Sequence, residues 1–272
     1  MDARVSEWLN LAFRWIHVVA GVMWIGHLWF FNFVNAQFAK AYDAESKKKL
    51  LPELMPRALY WFRWGAAYTF ISGILLLGIV YYQGGLMAAP GGSPLGSTDW
   101  AYAGVGLGLL VVAFLIYDVM WKALAKKEMV ATAISFVLVV GIAFGLEMLF
   151  SGRAMFIHIG AMFGTIMAAN VWMRIWPAQR KIIAGVKGTA PAPDAAVPAM
   201  AGLRSKHNTY MSMPLMFLMV SNHFPTVYGF DMAVGGKSMP MGWVWVAGFV
   251  ALGWIWTKLM YQKSAQPAPA AF

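Results

Sequence analysis

The sequence predicts an all-α fold, a polytopic transmembrane helical bundle, from its composition, its long apolar runs and the placement of its basic residues. Hydrophobic residues make up 60% of the 272 residues, charged residues only 12%, and the mean hydropathy is +0.61. A water-soluble domain would contain about twice that share of charged residues. The chain is therefore expected to place its helices in lipid.

Seven apolar runs are each long enough to form a helix across a bilayer, whose ~30 Å hydrocarbon core needs about 20 residues. They cover residues 9–34, 59–83, 100–122, 130–151, 154–176, 207–224 and 240–262, of which the sixth is the shortest. We expect residues 1–264 to form one transmembrane helical domain and residues 265–272 to form a flexible tail rich in Ala and Pro. A Gly/Pro-rich outer loop is expected at 84–98, and an Ala/Pro-rich connector at 188–203.

The 21 Lys and Arg residues predict the orientation of the bundle. With the amino terminus outside, 17 of them fall on the cytoplasmic side, mostly in 35–58, 123–129 and 177–206. The remaining 4 are Arg4, Arg14, Arg153 and Lys237. Cytoplasmic loops of membrane proteins are enriched in Lys and Arg, so we expect the amino terminus outside and the carboxyl terminus inside.

The same distribution excludes some classes of function. Membrane topology and anionic lipid explain the net charge of +10, so no nucleic-acid partner is predicted. The absence of cysteine excludes disulfides, iron–sulfur ligation and covalent c-type haem attachment. The basic asymmetry and short loops fit a multi-pass protein of a bacterial inner membrane.

The five histidines lie inside or at the ends of very apolar stretches. An ionisable side chain in hydrocarbon is costly, and by default it indicates a functional site. Neutral imidazole is also a common axial ligand of haem iron. Any one of these histidines could instead bond a neighbouring helix, but that explanation is less suited to all five.

A rise of about 1.5 Å per residue sorts the histidines by depth. The outer group is His17, His158 and His223, and the inner pair is His27 and His207. One group at each side is typical of a transmembrane diheme bundle. We predict that His17 and His158 share one site with His223 nearby, that His27 and His207 share another, and that one or two haem b groups are bound.

Glu147 and Arg153 lie near His223 at the predicted outer rim. The pair could be a salt bridge, or it could line a pocket for a planar polar substrate with Glu147 as proton acceptor. Asn222 adds an amide group to the same rim. We therefore name Glu147, Arg153 and His223 as candidate catalytic residues.

The 20 methionines leave a copper-binding alternative open. Thioethers suit Cu(I), and two short motifs, Met211-Ser-Met213 and Met239-Pro-Met241, place two of them close together. Methionine is also ordinary filler in membrane helices. One hypothesis for the function is therefore a copper or metal transporter, or a structural membrane subunit.

Three segments resemble the membrane domain of the PuuD-type urate hydroxylases, which are cytochrome-linked urate oxidases of the membrane. They are WIHVVAGVMWIGH (15–27), HIGAMFG followed by NVWMRIWP (158–177) and RSKHNTYMSMPLMFLMVSNHFP (204–225). The resemblance extends over 10–262, and the third segment is fairly specific. More distantly, the first helix is similar to copper-resistance-D-like and HemJ-like membrane haem proteins.

The resemblance implies a haem-binding oxidoreductase of purine catabolism that hydroxylates urate to 5-hydroxyisourate and passes electrons to the respiratory chain. Members of that family typically continue into a cytochrome c domain with a CxxCH motif, which this sequence lacks. We therefore expect a separate cytochrome c, or a respiratory complex, as electron acceptor. The alternative from a different class is a non-catalytic b-type haem subunit that relays electrons within a respiratory complex.

Overall fold

The computed structural model describes residues 2–88, 99–234 and 237–266, and it confirms the all-α class. The helices are α1 (Ala3–Phe38), α2 (Ala44–Tyr82), α3 (Asp99–Ala123), α4 (Glu128–Glu147), α5 (Gly152–Lys187), α6 (Ala196–Ser221), a short α7 (Pro225–Tyr228) and α8 (Gly242–Ser264). Most of the predicted outer loop, 89–98, and most of the predicted tail, 267–272, lie outside the described residues.

Six described helices are long and apolar enough to cross a membrane: α1, α2, α3, α4, α5 and α8. The chain is thus a multi-pass membrane protein. The sixth predicted run, 207–224, lies largely within α6, which is 26 residues long but is not among these six. The middle of α6 contains polar residues such as Arg204, Lys206 and Asn208, which lower the mean hydropathy of this helix.

Four polar residues of α6 are buried within the protein, which shields them from lipid, whereas Lys206 is exposed. Arg204, Asn208, Thr209 and Ser212 are all at most 2% exposed. These four side chains are thus surrounded by protein. In α3 and α4, by contrast, apolar side chains such as Val111 and Val137 are exposed. A helix shielded on several sides by other helices can be polar and still form part of the bundle.

Three helices contain a π-helical segment, in which the wider turn rotates successive side chains by a smaller angle than an α-helix does. These segments are Phe30–Asn35, Leu77–Tyr82 and Val171–Ile175. The third ends at Ile175, two residues before Pro177, which cannot donate a backbone hydrogen bond. The second contains two consecutive buried tyrosines, Tyr81 and Tyr82.

The segment between α7 and α8 forms a β-hairpin that the sequence analysis did not predict. β1 (Asp231–Val234) pairs antiparallel with β2 (Lys237–Pro240), with Asp231 opposite Pro240. Each strand has four residues, so the hairpin leaves the all-α assignment unchanged.

The chain divides into two compact units. The first unit comprises Met1–Arg14, Gly73–Ile166 and Met213–Gly253, and in it Phe217 of α6 stacks on Phe249 of α8 with ring centroids 3.5 Å apart. Buried side chains such as Phe150, Phe156 and Ile159 form its core.

The second unit comprises Trp15–Ser72, Met167–Ser212 and Trp254–Phe272. Within it α1 and α2 run antiparallel. A Cβ on Gly65 of α2 would lie 3.1 Å from the backbone nitrogen of Trp24 in α1. Farther along the same seam, His17 lies 3.2 Å from the Ser72 hydroxyl.

Candidate functional site

Three polar side chains of the first unit meet where α2 ends, α5 begins and α6 ends. The Oδ1 atom of Asn222 accepts hydrogen bonds from the Tyr81 hydroxyl and from Nε of Arg153, the latter at 3.3 Å. The amide nitrogen of Asn222 donates to the Leu218 carbonyl at 3.2 Å. Asn222 and Tyr81 are buried, and Arg153 is half-buried. We call Tyr81, Arg153 and Asn222 the Arg153 cluster.

Arg153 keeps donors available within this cluster. Its Nε donates to Asn222, its side chain also interacts with the Tyr81 hydroxyl, and no described carboxylate forms an ion pair with it. Its guanidinium carbon lies 6.0 Å from the centroid of the Tyr81 ring. The charge of Arg14, in α1, also acts on the Tyr81 hydroxyl. Two cations, their N–H donors and an aromatic face together suit a planar anion.

His158 is enclosed beside this cluster and is 0% exposed. Its Nδ1 lies 2.7 Å from the Ala154 carbonyl oxygen, which can only accept, so Nδ1 holds the proton. Its Nε2 then accepts from the Tyr82 hydroxyl at 3.0 Å. The Phe150 ring lies 5.0 Å away, centroid to centroid. A Cβ at Gly106 would lie 2.6 Å from Nε2, so this position requires glycine.

Glu147 is bound through both carboxylate oxygens at the amino terminus of α8. Oε1 accepts from the Gly242 backbone N–H at 2.7 Å, and Oε2 accepts from the Trp243 backbone N–H at 3.2 Å. These N–H groups have no partner within the helix, and a carboxylate there also interacts favourably with the helix dipole. A Cβ at Gly242 would lie 2.6 Å from Oε1, which leaves no room for a larger residue.

His17 and His27 have the tautomer that an iron ligand needs. Nδ1 of His27 lies 2.7 Å from the Met23 carbonyl and must donate to it. The Ser72 hydroxyl donates to the Tyr68 carbonyl at 2.6 Å, so it accepts from Nδ1 of His17. In both rings the lone pair is therefore on Nε2, and a bonded Nδ1–H is the usual arrangement in metal-binding histidines. No described residue bonds Nε2 of His27.

This donor chemistry fits an axial haem ligand at His17 and His27. At His158 it fits less well, because the Tyr82 hydroxyl already uses the Nε2 lone pair. Among the described residues there is no group of three or more His, Cys, Asp or Glu side chains that could hold a metal ion together.

The predicted site residues are divided between the two units. Glu147, Arg153, His158 and His223 belong to the first unit, and His17, His27 and His207 belong to the second. The inner pair, His27 and His207, thus lies within one unit, whereas the predicted pair of His17 and His158 does not. Both pairings stay predictions. His223 is exposed just after α6, and His207 is half-buried on that helix.

Sequence reasoning named Arg153 and Asn222 but missed Tyr81 and Tyr82. Both tyrosines end an apolar run, where a tyrosine is most often an interfacial anchor. A single sequence contains no signal that separates them from such anchors, because their partners, Asn222 and His158, lie 141 and 76 residues away.

Comparison with known proteins gives one match. The family model described as urate oxidase N-terminal matches residues 3–50 and 41–264. No curated protein and no solved structure matches the chain. The family match extends over nearly the whole sequence and confirms the resemblance to the membrane domain of the urate oxidases. The chain belongs to the urate oxidase N-terminal family.

Proposed function

We propose that this membrane protein binds and oxidises urate, in a bacterial inner membrane, and that a separate cytochrome c or respiratory complex accepts the electrons. The family supports a urate-linked role, and the Arg153 cluster is the observation that supports binding here. Urate is a planar anion at neutral pH, and it offers carbonyl oxygens to N–H donors. Arg153 has more N–H groups than Asn222 and Tyr81 accept, so donors of that kind remain for urate.

Asn222 and Tyr81 contribute to urate binding by Arg153 in different ways. Asn222 holds the guanidinium through Nε, so that its terminal nitrogens keep one direction. The Tyr81 ring, near the guanidinium, offers an aromatic face to a planar ligand. A preorganised arginine loses less conformational entropy when the ligand binds. We therefore assign binding and orientation of urate to these residues.

The reaction must also release protons. Urate and water give 5-hydroxyisourate, two protons and two electrons. His223 adjoins Asn222 in the chain and is exposed, so it can take a proton and pass it to solvent. Both oxygens of Glu147 are bound to α8. We therefore assign proton acceptance to His223 and a structural role to Glu147.

His17 and His27 are the residues that would hold haem b, because their Nε2 atoms are the unprotonated ones. A bound haem would supply one-electron acceptance at the site. The chain's part is to fix each ring through Nδ1, with Ser72 and Met23 as the partners. His158 and His207 remain weaker candidates.

Urate turnover by the purified protein in lipid nanodiscs tests this proposal. We expect urate to bind and to reduce an added cytochrome c, and we expect a reduced-minus-oxidised haem spectrum that His17→Ala or His27→Ala alters. A haem spectrum without urate binding or consumption would favour the electron-relay subunit. A protein that contains copper and no iron would favour the methionine alternative.

A further inference from the structure

Arg63, in α2, is held by aromatic rings of the second unit rather than by acidic residues. Its guanidinium carbon lies 4.0 Å from the centroid of the Trp176 ring and 5.9 Å from that of Trp172. The Tyr60 ring lies at 5.7 Å. The indole N–H of Trp172 donates to the Arg63 backbone carbonyl at 3.1 Å. These contacts fix the position of the guanidinium but use none of its N–H groups.

No described residue accepts a hydrogen bond from the Arg63 guanidinium, and its Nε is buried without a partner. A buried donor without an acceptor costs free energy that an acceptor would recover. Arg57, six residues earlier on the same helix, is different: it donates to the Glu53 carboxylate at 2.7 Å. The fold therefore pairs one arginine of α2 and leaves the donors of the other unused.

We propose that Arg63 is the centre of an oxyanion-binding site formed by α2 and α5. A guanidinium is planar, stays charged and presents a fork of N–H groups that matches a carboxylate or a phosphate. The contact with the Trp176 ring uses none of the N–H groups of that fork. The oxyanion supplies the acceptor that Nε lacks.

Two sources can supply such an oxyanion. The antiparallel register that sets Trp24 against Gly65 and His17 against Ser72 brings Arg63 level with His27, so a carboxylate of a cofactor held by His27 is one source. The other is the phosphate of an anionic phospholipid, because Arg63 lies only about 6 Å inside the end of its apolar run. The cofactor source rests on the proposed function, and the lipid source does not.

The experiment compares Arg63→Gln with Arg57→Gln in full-length protein reconstituted in nanodiscs that contain phosphatidylglycerol. Arg57→Gln removes the same charge from the same helix without touching the proposed site. Haem retention is measured by transfer to apomyoglobin, and lipid retention by native mass spectrometry after mild delipidation. Both measurements are independent of urate.

We expect Arg63→Gln to increase the loss of one of these ligands about tenfold or more, as removal of a charge-assisted hydrogen bond predicts, and Arg57→Gln to leave both unchanged. Faster haem loss identifies the cofactor carboxylate, and faster lipid loss identifies the phosphate. Arg63→Lys keeps the charge but lacks the fork, so it should show a smaller change in the same ligand. If Arg63→Gln and Arg63→Lys both retain haem and lipid as the wild type does, the oxyanion site is wrong.

Discussion

Asn222 in the first unit and Asn208 in the second are both buried asparagines, but their partners differ. Asn208 accepts from the Asn170 amide at 2.9 Å and donates to the Met167 carbonyl at 3.0 Å. Asn222 also donates to a carbonyl, that of Leu218, but it accepts from Tyr81 and from Arg153. One amide is bound to neutral groups of an adjacent helix, and the other holds a cation.

The difference in partners distinguishes an asparagine that joins two helices from one that positions a cation for binding. In membrane interiors, amide–amide and amide–carbonyl bonds join helices, and Asn208 joins α6 to α5 in this way. A half-buried arginine costs more to place there, and the bond to Asn222 uses only its Nε. Donors that a protein fixes in place but does not use are available to a ligand. We therefore expect changes in the Arg153 cluster to affect urate binding, and a change at Asn208 to affect stability.

The largest effect is expected from Arg153→Ala. Loss of the guanidinium removes the charge-assisted hydrogen bonds to urate, so the dissociation constant for urate should rise roughly 10- to 100-fold. Titration of the nanodisc-bound protein with urate measures this. The haem spectrum should not change, and Arg57→Ala, which removes a paired arginine, is the control. Unchanged urate affinity in the Arg153 variant would contradict the assignment of the site.

Asn222→Leu should have the next largest effect. Leucine has the same branched arrangement of side-chain heavy atoms but no acceptor for Nε of Arg153, so the guanidinium keeps its charge and loses its fixed direction. We expect urate affinity to fall about tenfold or less, because preorganisation rather than charge is lost. The same titration measures it. An effect larger than that of Arg153→Ala would mean that Asn222 contacts urate directly.

The sequence predicted the helices far better than the contacts between them. Seven apolar runs located the seven long helices, because burial in lipid needs long apolar segments whatever the tertiary structure. The exception was the sixth run, 207–224, which did not include the first part of α6, because Arg204 is polar and a single sequence does not show that the protein buries it. Some boundaries differed by about three or four helical turns: α5 continues to Lys187 rather than ending at 176, and α2 begins at Ala44 rather than at 59.

The sequence predicted which residues belong to the candidate site but not which residues contact one another there. Arg153 and Asn222 were placed at one rim from their depth, and the structure brings them together. Tyr82 and Gly242 could not be predicted, because their partners, His158 and Glu147, lie 76 and 95 residues away in the chain. The predicted depths placed His17 in one group with His158, but His17 belongs to the second unit and His158 to the first. Depth along separate helices does not show which helices pack together.

Asn208→Leu is the counterpart of Asn222→Leu, and a smaller effect of another kind is expected. It removes the acceptor of the Asn170 amide and the donor to Met167. Hydrogen bonds between membrane helices contribute about 1 kcal/mol, so we expect a modest loss of thermal stability. Urate affinity of the folded protein should stay within about twofold of wild type, which the same titration measures. A tenfold loss of affinity would remove the distinction between the two asparagines.

Glu147→Gln is the last test of this comparison. Glu147 lies in the first unit, as Asn222 does, but both of its carboxylate oxygens accept hydrogen bonds. In this respect it is like Asn208, whose amide oxygen and nitrogen are both bonded. If Glu147 took the substrate proton, glutamine would slow turnover at saturating urate and leave stability unchanged. Its oxygens instead accept from Gly242 and Trp243, and glutamine keeps one acceptor while losing the charge at the helix terminus. We expect a loss of about 0.5–1 kcal/mol in stability, seen as a lower melting temperature, with kcat changed less than about threefold. A large fall in kcat at unchanged melting temperature would return Glu147 to the catalytic residues, and it would show that a fully bonded side chain can still take part in the chemistry.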